Sequence, residues 1–97
     1  MAPSRELIRT RCTDGWLVVT ETAIRVERKG FLGAGAKTTV LPRAALVAAD
    51  STNKLGSVFG QGGATTLTFT GQGMTILVAK MVNPRNAQRI MELLGYA

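Results

Sequence analysis

The spacing of apolar residues changes once along this chain, near residue 82. Before that point, short segments alternate between apolar and polar residues and are separated by glycines, a pattern typical of antiparallel strands joined by turns. After it, Ala87, Ile90, Met91 and Leu94 recur at the spacing of one helical face. The sequence therefore predicts a mainly β fold that ends in one C-terminal α-helix.

Turn residues divide the β part into six or seven strands. The predicted strands cover 7–12, 16–20, 24–28, 38–41, 45–50, 65–70 and 74–81. In the third strand, Ile24 and Val26 are expected to face the core and Arg25 to face water, as in an antiparallel sheet with one wet side. The passage 51–63, rich in glycine, is long for a loop, so part of it is expected to prolong the flanking strands or to pack.

The helix has clear start and stop signals. Asn83 can accept hydrogen bonds from the first free amides, and Pro84 suits the first helical position because no N–H is needed there. Gly95 suits the end. The sequence predicts a helix over 84–94 that covers the open end of the sheet, and we expect Trp16 to pack beneath it.

Several short motifs stand out between residues 15 and 96. They are Gly15-Trp16-Leu17-Val18-Val19-Thr20-Glu21 with Ile24, Leu41-Pro42-Arg43, the passage Leu55 to Gly63, and Val82-Asn83-Pro84. Over these residues the chain resembles a bacterial pleckstrin-homology-like (PH-like) domain. The resemblance implies a bent antiparallel sandwich, or partly open barrel, of about seven strands closed at one corner by the helix. It also implies a binding module.

The chemistry available to this chain is limited. Its 97 residues fit one domain over 1–97, with no histidine and one cysteine, Cys12. Without histidine, the usual zinc sites and the common catalytic triads are excluded. We expect no enzyme activity, no metal, no cofactor and no small-molecule substrate. The first residues lack the apolar core of a signal peptide and no stretch is apolar enough to span a bilayer, so a cytoplasmic protein is expected.

Two glycine-rich loops carry apolar residues that are candidates for an interaction loop. Phe31 and Leu32 lie between Gly30 and Gly33, so they are expected either to contact a partner or to fold back onto the core. Phe59 in the second loop poses the same choice, with inward packing favoured by the length of its loop.

The net charge of +6 favours an anionic partner. Arg25, Arg28, Lys29 and Lys37 flank the first glycine-rich loop and form a candidate anion-binding rim, although such residues are often a solvated edge. The leading hypothesis is a non-enzymatic module acting through protein contacts, with another protein or with copies of itself. The alternative is electrostatic binding to an anionic lipid surface or to nucleic acid.

Overall fold

A computed structural model of the chain describes residues 5–13, 15–29, 37–54 and 64–96. The strands are β1 (Glu6–Cys12), β2 (Gly15–Thr20), β3 (Ala23–Arg28), β4 (Lys37–Pro42), β5 (Leu46–Lys54), β6 (Ala64–Gly71) and β7 (Ile76–Val82), followed by the helix α1 (Pro84–Leu93). Each predicted element is present. β5 extends to Lys54, which confirms that the first part of the passage 51–63 prolongs a strand.

The strands form two antiparallel sheets. Sheet A has the order β1-β2-β3-β4, and sheet B has the order β5-β6-β7. Every neighbour in a sheet is also a neighbour in sequence. Thr20 stabilises the β2–β3 turn, where its hydroxyl accepts hydrogen bonds from the backbone amides of Thr22 and Ala23 at 3.2 and 3.0 Å.

The core lies between the two sheets and follows the predicted alternation. Leu17 and Ile24 of sheet A and Leu67 and Phe69 of sheet B are completely buried. Val26 is buried beside them, whereas its neighbours in β3 are not. The prediction that alternate residues of β3 face the core is therefore confirmed. Burying side chains of this size contributes about 1.5 to 3 kcal/mol each.

The helix closes this core as its signals predict. The side chain of Asn83 accepts the amide of Arg85 at 2.9 Å, and Pro84 is the first helical residue. Of the predicted apolar stripe, three members are fully buried and the fourth is partly buried and packs at the margin. The last turn is held in place by Arg43, whose guanidinium donates to the carbonyl of Leu93 at 3.2 Å.

The β6–β7 turn differs from the predicted one. The last strand begins at Ile76 and not at Met74, because Gly73 and Met74 adopt positive φ angles of 73° and 66° in a single tight turn. Left-handed backbone of this kind breaks the regular alternation of a strand. Met74 is a non-glycine residue in this conformation, and its side chain is 91% exposed.

Candidate interaction surface

The outer face of sheet A carries the candidate site. Leu17 and Val19 point into the core, so Trp16 and Val18 of the same strand lie on the opposite face. The strand register extends this face across all four strands. We call it the Trp16 face, and its members are Glu6, Arg9, Arg11, Trp16, Val18, Arg25, Glu27 and Val40.

Ion pairs on this face link β1 to β3 across β2. Arg9 contacts Glu6 at 3.0 Å and Glu27 at 3.3 Å, and Arg25 contacts the second oxygen of Glu27 at 3.3 Å. Each exposed pair alone contributes roughly 0 to 1 kcal/mol. Val18 lies between Arg9 and Arg25 in the register and is 0% exposed. The aliphatic parts of the two arginines therefore cover an apolar residue on the outer face.

The charge of Arg9 is stable near neutral pH. Its hydrogen bond with Glu6 raises the pKa of Arg9, burial opposes this, and the charges of Glu6 and Glu27 add to the increase. A raised pKa stabilises the folded state fully at every pH below the ordinary pKa of arginine. This stabilisation is lost only as the pH rises through the pKa of the folded state. For an arginine that loss falls in strongly alkaline solution, so Arg9 keeps its charge near neutral pH.

Trp16 lies at the edge of this network, and the expectation that it packs beneath the helix is wrong. The guanidinium carbons of Arg9 and Arg11 lie 5.7 and 5.4 Å from the centre of its ring, within the range of cation–π contacts. Trp16 is only partly buried. The position of Trp16 immediately before Leu17 could have indicated the outer face, because consecutive residues of a strand point to opposite faces. The unbroken run of apolar residues from 16 to 19 concealed this alternation.

Gly15 allows β2 and β3 to approach closely beside Trp16. A Cβ atom at position 15 would stand 1.8 Å from the backbone oxygen of Glu27. Real Cβ atoms do not approach a backbone oxygen so closely, so the pairing of these strands requires glycine. The residue after this glycine is thereby placed directly opposite Glu27.

Basic side chains cluster at the end of sheet A nearest Trp16. Arg28 and Lys37 lie directly opposite each other in the β3–β4 pair, where like charges repel. Two shallow grooves of about 240 and 220 Å³ open at this end. We call the cluster the basic end, and its members are Arg11, Arg28, Lys29, Lys37 and Lys80. Among the described residues, those that line the two grooves include no carboxylate.

The predicted anion-binding rim is therefore divided between two surfaces. Arg28, Lys29 and Lys37 belong to the basic end, whereas Arg25 lies on the Trp16 face in an ion pair. Alternation along β3 causes the separation, because residues 25 and 28 differ by an odd number of positions. Arg11 and Lys80 were missing from the predicted rim, since only folding brings β1 and β7 to the end of β3.

The predicted interaction loop lies outside the described residues. Phe31, Leu32 and Phe59 fall in the passages 30–36 and 55–63. Their contact with a partner stays a prediction.

The described residues offer no arrangement for metal binding. Within 5–13, 15–29, 37–54 and 64–96, no three Cys, Asp or Glu side chains come close enough to hold an ion. Two of the carboxylates, Glu6 and Glu27, are hydrogen-bonded to Arg9. In the same ranges, no helix has the length and apolar character needed to cross a membrane.

A four-stranded and a three-stranded antiparallel sheet closed by a C-terminal helix define a PH-like fold. Comparison with solved structures confirms this class. The crystal structure of a pleckstrin homology domain from Shewanella amazonensis SB2B superposes with a TM-score of 0.71 and 14% identity, over 100% of this chain and 88% of that chain. Comparison of the sequence with protein-family profiles and with curated proteins gives no match. The predicted resemblance is thus confirmed for the fold.

Proposed function

We propose that this protein is a non-enzymatic module that binds another protein through the Trp16 face. One observation carries the proposal: a partly exposed tryptophan is held under two arginines on an open sheet surface. Tryptophan and arginine are the side chains most enriched among the residues that dominate protein interfaces. Val40, on the same face, is 49% exposed and adds apolar area.

The ion pairs support this role because they fix the side chains before any partner arrives. Arg9 is held by two carboxylates and by Trp16, so little side-chain entropy remains to be lost on binding. Arg11 contacts the ring as well. Arginines outnumber carboxylates on this face, which favours a partner with an acidic surface.

Capture of binding partners tests the proposal. Immobilised protein carrying Trp16→Leu is expected to retain at least about tenfold less of a specific partner than the unchanged protein, as for a residue that dominates an interface. Ile76→Thr, on the exposed face of sheet B, is the matched control and should bind normally. Circular dichroism checks that both variants fold. Equal capture by all three proteins would contradict the proposal.

A second candidate function is binding of a phosphate-bearing surface at the basic end. The opposed pair Arg28 and Lys37 favours it, since two repelling cations gain stability when an anion lies between them. Anionic lipid vesicles and a single-stranded oligonucleotide are the two probes, with uncharged vesicles as background. Binding to either probe should weaken steeply as salt rises.

Paired charge removal separates this candidate from a general effect of net charge. Arg28→Ser with Lys37→Ser is expected to abolish probe binding, whereas Arg89→Ser with Arg85→Ser, on the exposed side of α1, removes the same charge elsewhere. Equal weakening by both pairs would assign the binding to net charge and would exclude a site at the basic end.

We place the protein in the cytoplasm, where its single cysteine, Cys12, remains a thiol.

A further inference from the structure

Strand β4 lies at an edge of sheet A. In the part of the chain that the structure describes, β4 pairs with β3 alone. The register of this pair runs from Ala23 opposite Pro42 to Arg28 opposite Lys37 without a shift. A regular edge of this kind is a template for the addition of one more strand.

The pairing with β3 determines which backbone groups of β4 face the free edge. Immediately after β4, the amide of Arg43 donates to the carbonyl of Thr22 at 2.8 Å. Because hydrogen bonding alternates along an antiparallel strand, every second residue back from Arg43 also bonds to β3. The amides and carbonyls of the residues between them, Thr38 and Val40, therefore point away from β3.

The other edge strands are less suited to a further partner. The β1 register is irregular near its start, and the amide of Thr13, directly after β1, donates to the carbonyl of Lys80 in β7 at 2.9 Å. β7 has a positive φ of 61° at Met81. β5 shifts register after Leu46 and carries the exposed carboxylate of Asp50. Bulges and charges of this kind hinder strand addition.

The two ends of β4 define the length and the charge of its free edge. Pro42 has no amide hydrogen, so regular pairing ends there. Lys37 begins the strand directly opposite Arg28, and the ion pairs among the described residues include neither of these cations. Residues 38–41 are uncharged. The free edge is therefore short, and it is positively charged at one end.

We propose that the edge of β4 binds an extended acidic segment of another protein, which adds to sheet A as a further strand. The main chain of the segment hydrogen-bonds to Thr38 and Val40, and its acidic residues lie beside Lys37 and Arg28. An apolar residue of the segment covers Val40, which is 49% exposed. The net charge of +6 favours an acidic segment over a second copy of this chain, whose cations would repel.

This inference does not rest on the proposed function. Trp16 lies in β2, two strands from β4, so an added strand lies about 14 Å from β2 at about 4.8 Å per strand. The two sites share only Val40. Trp16→Leu, which is expected to reduce capture of a partner by the Trp16 face, should leave binding of an extended segment unchanged. Failure of one proposal is therefore distinguishable from failure of the other.

Fluorescence polarisation with labelled peptides tests the inference on the unchanged protein. The probe is an eight-residue peptide of alternating threonine and valine that ends in two aspartates. In an antiparallel arrangement, these aspartates lie beside the start of β4. The same peptide ending in two lysines should bind at least about tenfold more weakly. Absence of binding by the acidic peptide, or equal binding of the two peptides, would overturn the inference.

Methylated peptides test whether the main chain makes the contact. Two versions of the acidic probe carry N-methyl groups on alternate residues, one on the odd positions and one on the even positions. Only one of these sets faces β4 in an added strand, so one version should lose binding at least about tenfold and the other should retain it. Equal binding of the two versions would contradict strand addition.

A matched pair of protein variants assigns the site to β4. Thr38→Pro removes an amide hydrogen from the free edge but none that bonds to β3, so this variant should fold and bind the acidic probe at least about tenfold more weakly. Thr38→Val keeps the amide and should bind normally. Circular dichroism checks that both variants fold. Normal binding by folded Thr38→Pro would overturn the inference, as would a dimer of the unchanged protein that Thr38→Pro abolishes, because a second copy would then occupy the edge.

Discussion

Asn86, in the first turn of α1, donates a 2.9 Å hydrogen bond from its side-chain amide to the hydroxyl of Thr10 in β1. The two residues are separated by 76 positions in sequence. Thr10 is 4% exposed, so its hydroxyl has little access to water. The contact therefore links the helix to sheet A, whereas the apolar stripe of the helix closes the core beside it.

Replacing Thr10 by valine tests this link. The change keeps the shape of the side chain but removes the acceptor of Asn86, so it should lower the free energy of unfolding by about 1 kcal/mol. Urea denaturation measures the effect. Thr38→Val, at an exposed position of β4, should leave stability unchanged within about 0.5 kcal/mol. Equal stability of all three proteins would show that the hydrogen bond contributes nothing.

Helix packing gives a larger effect. Ile90 lies on the buried side of α1 and is 0% exposed. Ile90→Ala should therefore lower the free energy of unfolding by about 2 to 5 kcal/mol, because apolar burial is lost and a cavity remains. Leu94→Ala should lower it less, because Leu94 is only partly buried. Thermal unfolding ranks the two variants. If Leu94→Ala proved the more damaging change, the packing of the helix described above would be wrong.

Gly15 is expected to tolerate no side chain. Gly15→Ala places a Cβ atom against the backbone oxygen of Glu27, and separating β2 from β3 to relieve the clash should lower stability by about 1 to 3 kcal/mol or more. The indole fluorescence of Trp16 should change in the same variant, because its ring lies on the adjacent residue. Unchanged stability and unchanged fluorescence together would contradict this account of the hairpin.

The backbone at Met74 predicts an unusual response to glycine. With φ at 66° and its side chain almost fully exposed, Met74→Gly should be more stable than Met74→Ala by about 1 kcal/mol. The same comparison at Gln88, an exposed position of α1, should have the opposite sign, since glycine weakens a helix by about 1 kcal/mol relative to alanine. Chemical denaturation of the four variants checks both signs. Identical signs at the two positions would rule out left-handed strain at Met74.

Local signals in the sequence predicted most of the fold. The hairpin of β2 and β3 followed from alternation, and the helix followed from Asn83, Pro84 and its apolar stripe. These signals act within a few residues, where backbone geometry decides which side chains share a face. The start of β7 lies two residues later than predicted, because the turn conformation at Gly73 and Met74 is set by φ angles that alternation does not report.

The candidate surfaces depended on the tertiary structure. Glu6 meets Arg9 because the β1–β2 register is irregular between Glu6 and Ile8, and a one-residue slip changes which side chains share a face. Trp16 could be assigned to the outer face only once Leu17 was known to be buried. Composition determined the net charge, but its concentration at the basic end arose because folding brings cations from β1, β3, β4 and β7 together at one end.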